Sequence, residues 1–201
     1  MNPKQVHFNQ LAAAWDTLPA PADAATRVRR FVDSVDAPGS RCILDVGCGT
    51  GILVDPLLEV YSAASCLVEL DFAIEMLTES RRKRLSPRIH HVCADARSLP
   101  FSQACFDLVL CFGVLPHLGD AATVIKELLR VLEPAGVLAV GHIMGSKELN
   151  ALHRGLGGPI ADDTLPPGHE LARLLAAQGA SIQKVEDSPE EYFVKVQKVP
   201  S

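Results

Sequence analysis

Apolar residues recur at helical spacing from the start of the chain. Val6, Phe8, Leu11, Ala12 and Trp15 share one face of a helix predicted over 4–17, which ends before Pro19. A second helix over about 22–35 presents Val28, Phe31, Val32 and Val35. After the turn Asp36-Ala37-Pro38-Gly39-Ser40, the pattern changes to short uninterrupted apolar runs. Strands are predicted near 42–46, 65–71, 88–94, 106–112 and 137–143, with helical segments between them. Runs of this kind belong to a parallel sheet covered by helices on both faces. The regularity breaks over 146–168, where Gly155, Gly157-Gly158 and Pro166-Pro167 accompany a short helix at 146–154. A helix over 169–178 stopped by Gly179, then a hairpin of strands 181–186 and 191–199 around Asp187-Ser188-Pro189, complete the chain.

Composition narrows the class. At 201 residues, 48% hydrophobic and 21% charged, the chain has the size and make-up of one globular domain. A net charge of −5 leaves no basic footprint for a phosphate backbone, so nucleic acid is not expected as a partner. The run Arg81-Arg82-Lys83-Arg84 reads as a solvated helix C-terminus, where cations suit the helix dipole. Six cysteines include no C-x-x-C pair, which argues against zinc or dithiol chemistry, and no metal is expected. With a polar start and no long apolar run, the expectation is a cytoplasmic, reduced protein without a membrane span.

The candidate chemistry begins at Ile43-Leu44-Asp45-Val46-Gly47-Cys48-Gly49-Thr50-Gly51, a buried strand running into a glycine turn. A dinucleotide turn wants a glycine at its sixth position, and that position is Ile52. No Walker lysine follows Gly51 either. Asp45 beside the turn would repel a phosphate and welcome a cation. S-adenosylmethionine, with its ammonium and sulfonium and no phosphate, fits such a turn best.

Asp45-x-Gly47-x-Gly49-x-Gly51 resembles motif I of the class I S-adenosylmethionine-dependent methyltransferases, and further segments follow in that family's order. They are Leu67-Val68-Glu69-Leu70-Asp71-Phe72 with Met76-Leu77, His91-Val92-Cys93-Ala94-Asp95-Ala96, Phe106 to Phe112, Val114-Leu115-Pro116-His117-Leu118, and Glu127 to Gly136. The match is strong over roughly 40–143 and is similar in feel to the small-molecule methyltransferases of ubiquinone and menaquinone synthesis. The resemblance implies a Rossmann-like, doubly wound α/β fold: seven strands, mostly parallel with an antiparallel last strand, and helices on both faces. It also implies a single domain over 1–201, with N-terminal helices or lid at 1–39, a cofactor core at 40–143, a lid insertion at 144–168, and a helix and hairpin at 169–201. By the same resemblance Asp71 would hold the ribose hydroxyls, Asp95 with Ala96 the adenine, and Phe72 and Met76 would flank it. Cys111 and Phe112 would line the methionine end. Each has a plainer alternative: the two aspartates as helix caps, Phe72 and Met76 as helix core, and Cys111 and Phe112 as strand residues whose side chains have no specific role.

Methyl transfer asks chiefly for alignment and exclusion of water, and for a base only where the acceptor must lose a proton. His117, just past the fourth strand, is the general-base candidate, and a hydrogen-bonded structural histidine is its alternative. His142 has similar standing. Phe8 and Trp15 would lie at the pocket mouth, where aromatic faces suit a sulfonium, or simply pack. His153 and Arg154 on the short lid helix would recognise an anionic acceptor group or else face solvent. The usual Pro-Gly-Gly before strand five is Pro134-Ala135-Gly136 here, with little effect expected. The DNA-base, cytosine-C5 and protein-arginine motifs are absent, so a small, partly hydrophobic acceptor is expected, with S-adenosylhomocysteine as by-product. Binding of the cofactor without transfer, as a sensor or partner subunit, is the alternative. A nicotinamide enzyme is disfavoured by Ile52. Acceptor, methylated atom and oligomeric state stay open.

Overall fold

A computed structural model describes residues 2–84 and 86–200. The seven strands are β1 (Cys42–Val46), β2 (Cys66–Asp71), β3 (Ile89–Cys93), β4 (Phe106–Phe112), β5 (Leu132–His142), β6 (Ala180–Ser188) and β7 (Glu191–Lys198). They form one sheet in the order β3-β2-β1-β4-β5-β7-β6. β7 runs antiparallel to both neighbours and the other pairings are parallel. The chain therefore winds outward from β1 to β3, then returns to β4 on the other side of β1. That reversal opens a crevice at the carboxyl ends of β1 and β4, the place where open α/β sheets take their ligands.

The helices are α1 (Pro3–Leu11), α2 (Ala24–Val35), α3 (Val54–Val60), α4 (Ile74–Lys83), α5 (Ala121–Val131), α6 (Ser146–Leu156) and α7 (Gly168–Ala177). Alternate strand residues feed two cores. Leu44, Val46, Val109 and Cys111 pack with Ile125, Leu128, Leu171 and Leu175 on one face. Ile43, Leu108 and Leu110 pack with Val28, Val32, Leu53 and Leu57 on the other. Both faces of the central strands are thus covered, which is why they read as unbroken apolar runs.

Three details differ from the sequence expectation. The first helix is α-helical only to Leu11 and continues as a 3₁₀ segment over Ala12–Thr17. Asn2 starts it by accepting the Lys4 amide, with Pro3 at the first helical position, where a missing N–H costs nothing. At its far end Asp16 is tied to Thr50 and Lys83, so this stretch follows tertiary contacts rather than helical pitch. The basic run is accordingly not simply solvated: Lys83 pairs with Asp16, and Arg84 grips Asp55 with both nitrogens at 2.5 Å.

Strand β5 starts five residues earlier than predicted, at Leu132 rather than 137. Phe106 pairs with Leu132 while Leu108 pairs with Val137, a bulge that absorbs Glu133 to Gly136. Ala135 sits at φ +63°, so the position does take the left-handed conformation and alanine bears its cost. Gly136 is required for space, since a Cβ there would lie 2.7 Å from Leu132 Cδ1 and 2.9 Å from the Glu133 carbonyl.

Asp187, in the closing hairpin, accepts the Ser146 amide and hydroxyl and the Gly168 amide at 2.7–3.0 Å. One carboxylate so caps the starts of α6 and α7 and fastens both ends of the 146–168 segment to the sheet. No helix among the described residues is long and apolar enough to cross a membrane.

Candidate cofactor and acceptor site

The glycine turn hangs from the end of β2. Leu70 accepts the amides of Gly47 and Cys48 at 2.7 and 3.1 Å, and Asp71 Oδ2 accepts that of Gly49 at 3.0 Å. Asp71 Oδ1 accepts from Ala73, the residue before α4, at 2.8 Å, so the carboxylate ties the approach to that helix to the turn. The helix-cap alternative weighed above is not met, since the N-cap of α4 is Ala73 without a side-chain cap, and each Asp71 oxygen keeps a further lone pair for a ligand. Gly47 and Gly51 are glycines for different reasons. Gly47 borders the cavity, and a Cβ there would lie 2.2 Å from Val114 Cγ2. Gly51 faces the interior, with Ser80 Oγ 2.5 Å and Glu69 Oε1 2.7 Å from the same position.

Three carboxylates gather beneath this turn. Asp45, Glu69 and Asp71 are 1%, 0% and 6% exposed. Burial, then the charges of Glu69 and Asp71, push Asp45 well above the usual carboxylate range. Burial also raises Glu69 and Asp71. Glu69 accepts the Ser80 hydroxyl at 2.7 Å and lies 2.8 Å from His91 Nε2, while Asp45 Oδ1 has no hydrogen-bond partner. Glu69 was not singled out in the sequence, because it sits inside an apolar run; its pairing opposite Asp45 across β1 and β2 brings it in.

A cavity of about 180 Å³ opens beside the turn, lined among others by Gly47, Asp71, Phe72, Asp95, Ala96 and His117. The fold thus assembles the turn, the acids at the ends of β2 and just past β3, and the histidine after β4. Asp95 is bound by Arg97 through contacts of 2.6–3.1 Å, which hold its carboxyl below the ordinary value. Met76, Cys111 and Phe112 do not reach this cavity. Met76 is buried with Phe8, Ala12 and Ala73. Cys111 is wholly buried, its thiol pushed far up by burial, and Phe112 stacks on Phe31 at 4.6 Å between centroids.

The N-terminal segment borders the cleft, with Asn2 and Lys4 in its lining. Phe8 of α1 meets Trp15, Phe72 and His117 edge-on at 5.8, 5.9 and 5.2 Å. Gln5 donates to the Phe72 carbonyl at 2.7 Å. At about 180 Å³ the cavity is smaller than the roughly 300–1,000 Å³ usual for ligand pockets.

In the turn after β4, His117 Nδ1 lies 2.7 Å from Asp163 Oδ2. Lys4 takes the other oxygen, and His153 Nδ1 lies 2.8 Å from the Asp163 carbonyl. Burial holds His117 below its ordinary pKa despite the opposing pull of Asp163. Burial drives His142 down to about 4; its Nδ1 accepts the Met144 amide at 3.0 Å, and it does not line the cavity. His153 is 4% exposed, which corrects its reading as a solvated helix position, whereas Arg154 does face solvent. Lys4, Arg97 and Asp163 were missed in the sequence: none stands at a recognisable spacing from the turn, and folding alone brings them there. Among the described residues no cluster of three or more His, Cys, Asp or Glu side chains is arranged to hold a metal.

The site suits an adenosyl sulfonium. Glycine backbone borders the cavity at Gly47, the Asp71 carboxylate lines it, and a buried carboxylate oxygen of Asp45 beneath the turn stands unpaired. A parallel sheet reversing at β1 and β4, with such a turn and acids at or beyond successive strand ends, defines a nucleotide-cofactor-binding α/β class. Residues 44–140 match the family model described as methyltransferase domain. The chain is 38% identical over 113 residues to the demethylmenaquinone methyltransferase of Renibacterium salmoninarum, covering 56% of this chain and 45% of that protein. It is 35% identical over 120 residues to the trans-aconitate 2-methyltransferase of an Azoarcus species, covering 59% and 46%. The chain thus spans about half the length of the curated relatives it matches. A chain from the complex of the Haloferax volcanii Trm112 methyltransferase activator with a methyltransferase superposes with a TM-score of 0.82 at 13% identity, covering 96% of this chain and 98% of that one. That likeness is one of fold. Over residues 44–140, just under half of its length, the chain is thus similar to a methyltransferase domain.

Proposed function

We propose that the protein transfers a methyl group from S-adenosylmethionine to a small, partly hydrophobic acceptor by in-line displacement. The observation that carries this reading is one cleft holding both a carboxylate-ringed glycine turn and a desolvated histidine. When bound, the cofactor supplies a methyl group on a sulfonium sulfur. Asp71 accepts hydrogen bonds from the ribose hydroxyls, Asp95 and Ala96 bound the adenine, and Phe72 packs on it. Asp45 and Glu69 supply negative potential beneath the turn, where low dielectric strengthens it. The N-terminal segment and the 146–168 insertion would exclude water and hold the reactants in line, an effect worth roughly 7–11 kcal/mol. His117 accepts the proton of a hydroxyl or an acidic carbon. The matched relatives are named for demethylmenaquinone and trans-aconitate, both small molecules, which supports an acceptor of that size class. A reducing, cytoplasmic setting fits six cysteines that are all unpaired.

Calorimetry with S-adenosylhomocysteine tests the cofactor. Binding is expected, with a stabilisation of about 2.7 kcal/mol at one hundred times the dissociation constant, and NAD should give none. Tight NAD binding without heat from S-adenosylhomocysteine would overturn the reading. Mass spectrometry across a panel of small acceptors then tests transfer.

A further inference from the structure

We propose that Asp163 is a positioning residue for His117, and that Lys4, on the other oxygen of Asp163, tempers the charge of that pair. The proposal deepens the reading of His117 as a base and rests on it.

The three residues come from separate parts of the chain. His117 stands in the 3₁₀ turn Leu115–Leu118 after β4, part of the core. Asp163 belongs to the insertion, where its amide bonds to the Ile160 carbonyl at 3.0 Å and its own carbonyl faces His153. Asn150 of α6 exchanges hydrogen bonds of 2.7 and 3.0 Å with Leu165, pinning the same segment. Lys4 comes from α1, and its ammonium bonds to Asp163 and reaches the His117 carbonyl at 3.5 Å. The Asp163 side chain is only 8% exposed and that of His117 11%, so their contact is sheltered from screening.

The chemistry follows from which nitrogen is occupied. A carboxylate accepts only, so His117 Nδ1 must carry the hydrogen in its bond to Asp163, which leaves the lone pair on Nε2. Among the described residues Nε2 has no hydrogen-bond partner. His117 also lines the cavity that holds Gly47 and Asp71. In the transfer step an acceptor O–H bond breaks and its proton passes to Nε2. A bond forms between the acceptor oxygen and the methyl carbon, and the methyl–sulfur bond breaks with its electron pair left on sulfur. The positive charge lost from sulfur thus reappears on the imidazolium, beside Asp163. Lys4 moderates that stabilisation. Around His117 are Lys4 from α1, His153 from α6 and His142 from β5, with Asp71, Asp95 and Arg97 lining the same cavity; among the described residues Asp163 is the one acid bonded to it.

A mere staple would predict something different. Were the pair only a clasp, breaking it from either side would loosen the N-terminal segment and the insertion, hydrate His117 and return its pKa upward. A dyad predicts opposite shifts. Asp163→Asn removes the anion and leaves Lys4, so the pKa of His117 falls by about half a unit or more, whereas Lys4→Met frees the full charge of Asp163 and raises it. The measurement is an NMR titration of the whole protein labelled at histidine, with His117 assigned from the His117→Gln spectrum; it needs no acceptor. The wild-type ¹⁵N shifts should also show the Nδ1–H tautomer, a check that needs no substitution at Asp163. A wild-type Nε2–H tautomer, or an upward shift in Asp163→Asn, overturns the proposal. In turnover, Asp163→Asn should lower kcat about tenfold or more with cofactor affinity kept. Full activity of His117→Gln alongside the expected tautomer would instead remove His117 as base, a failure of the function reading and separate from that of the pairing.

Discussion

Gly51 lies directly against Glu69: a Cβ on the glycine would stand 2.7 Å from the glutamate Oε1. The last glycine of the turn therefore makes room for a buried acid rather than for a ligand. Ser80, which donates to the other Glu69 oxygen, crowds the same point at 2.5 Å. The turn, β2 and α4 meet there.

This separates two glycines that look equivalent in sequence. Gly51→Ala meets both a left-handed φ of +81° and a filled interior, and should cost about 3 kcal/mol. Gly49→Ala meets a φ of +56° but nothing nearer than Trp15 Nε1 at 3.9 Å, and should cost about 1–2 kcal/mol. Urea unfolding of both variants decides it; equal losses would reject the interior role of Gly51.

Asp71 holds backbone on both oxygens, so its replacement should act on the turn and on the cofactor together. Asp71→Ala is expected to weaken S-adenosylhomocysteine binding by at least about tenfold and to lower the melting temperature. Isothermal calorimetry with an undiminished affinity would take Asp71 out of the site.

The strained alanine offers a gain. Ala135→Gly relieves a φ of +63° and should stabilise the fold by about 1 kcal/mol, since the left-handed penalty exceeds the extra chain entropy of glycine. Cofactor affinity should not change. Thermal unfolding of the variant checks the sign, and a loss of stability would mean that the bulge prefers alanine.

Asp45 predicts a pH dependence. Burial raises its folded pKa above the ordinary value of 3.8, so the folded state holds the proton more tightly than the unfolded state. Its contribution is then fully present below that ordinary value and is lost as pH rises from there through the folded pKa. Glu69 and Asp71 act in the same sense. Wild type should lose stability relative to Asp45→Asn as pH climbs from about 4 towards neutrality. Parallel melting curves across that range would show that Asp45 ionises freely in the fold. A cation seated above the turn favours the ionised form, so cofactor binding should release protons, read as a buffer-dependent heat.

What could be read from the chain was what local pattern encodes. Strands β1 to β4, helices α3 and α4 and the glycine turn each announce themselves within a few consecutive residues, because strand burial, helical pitch and left-handed turns are short-range demands; the helical segment expected between β3 and β4 is instead turn and irregular backbone over 94–105. Asp71 and Asp95 were legible by the same logic, as acids placed at or just past the ends of such runs. Folding decided everything that depended on distant segments meeting. It turned residues 12–17 into a 3₁₀ strap tied to Thr50 and Lys83, and it extended β5 backward through a bulge. It buried His153, kept Met76 and Cys111 away from the cleft, and set Glu69 beneath the turn. Above all it brought Lys4 and Asp163 to His117 across separations of 113 and 46 residues. Pairings of that kind leave no periodic trace, since nothing in the neighbourhood of any of the three residues depends on the other two until the sheet is assembled.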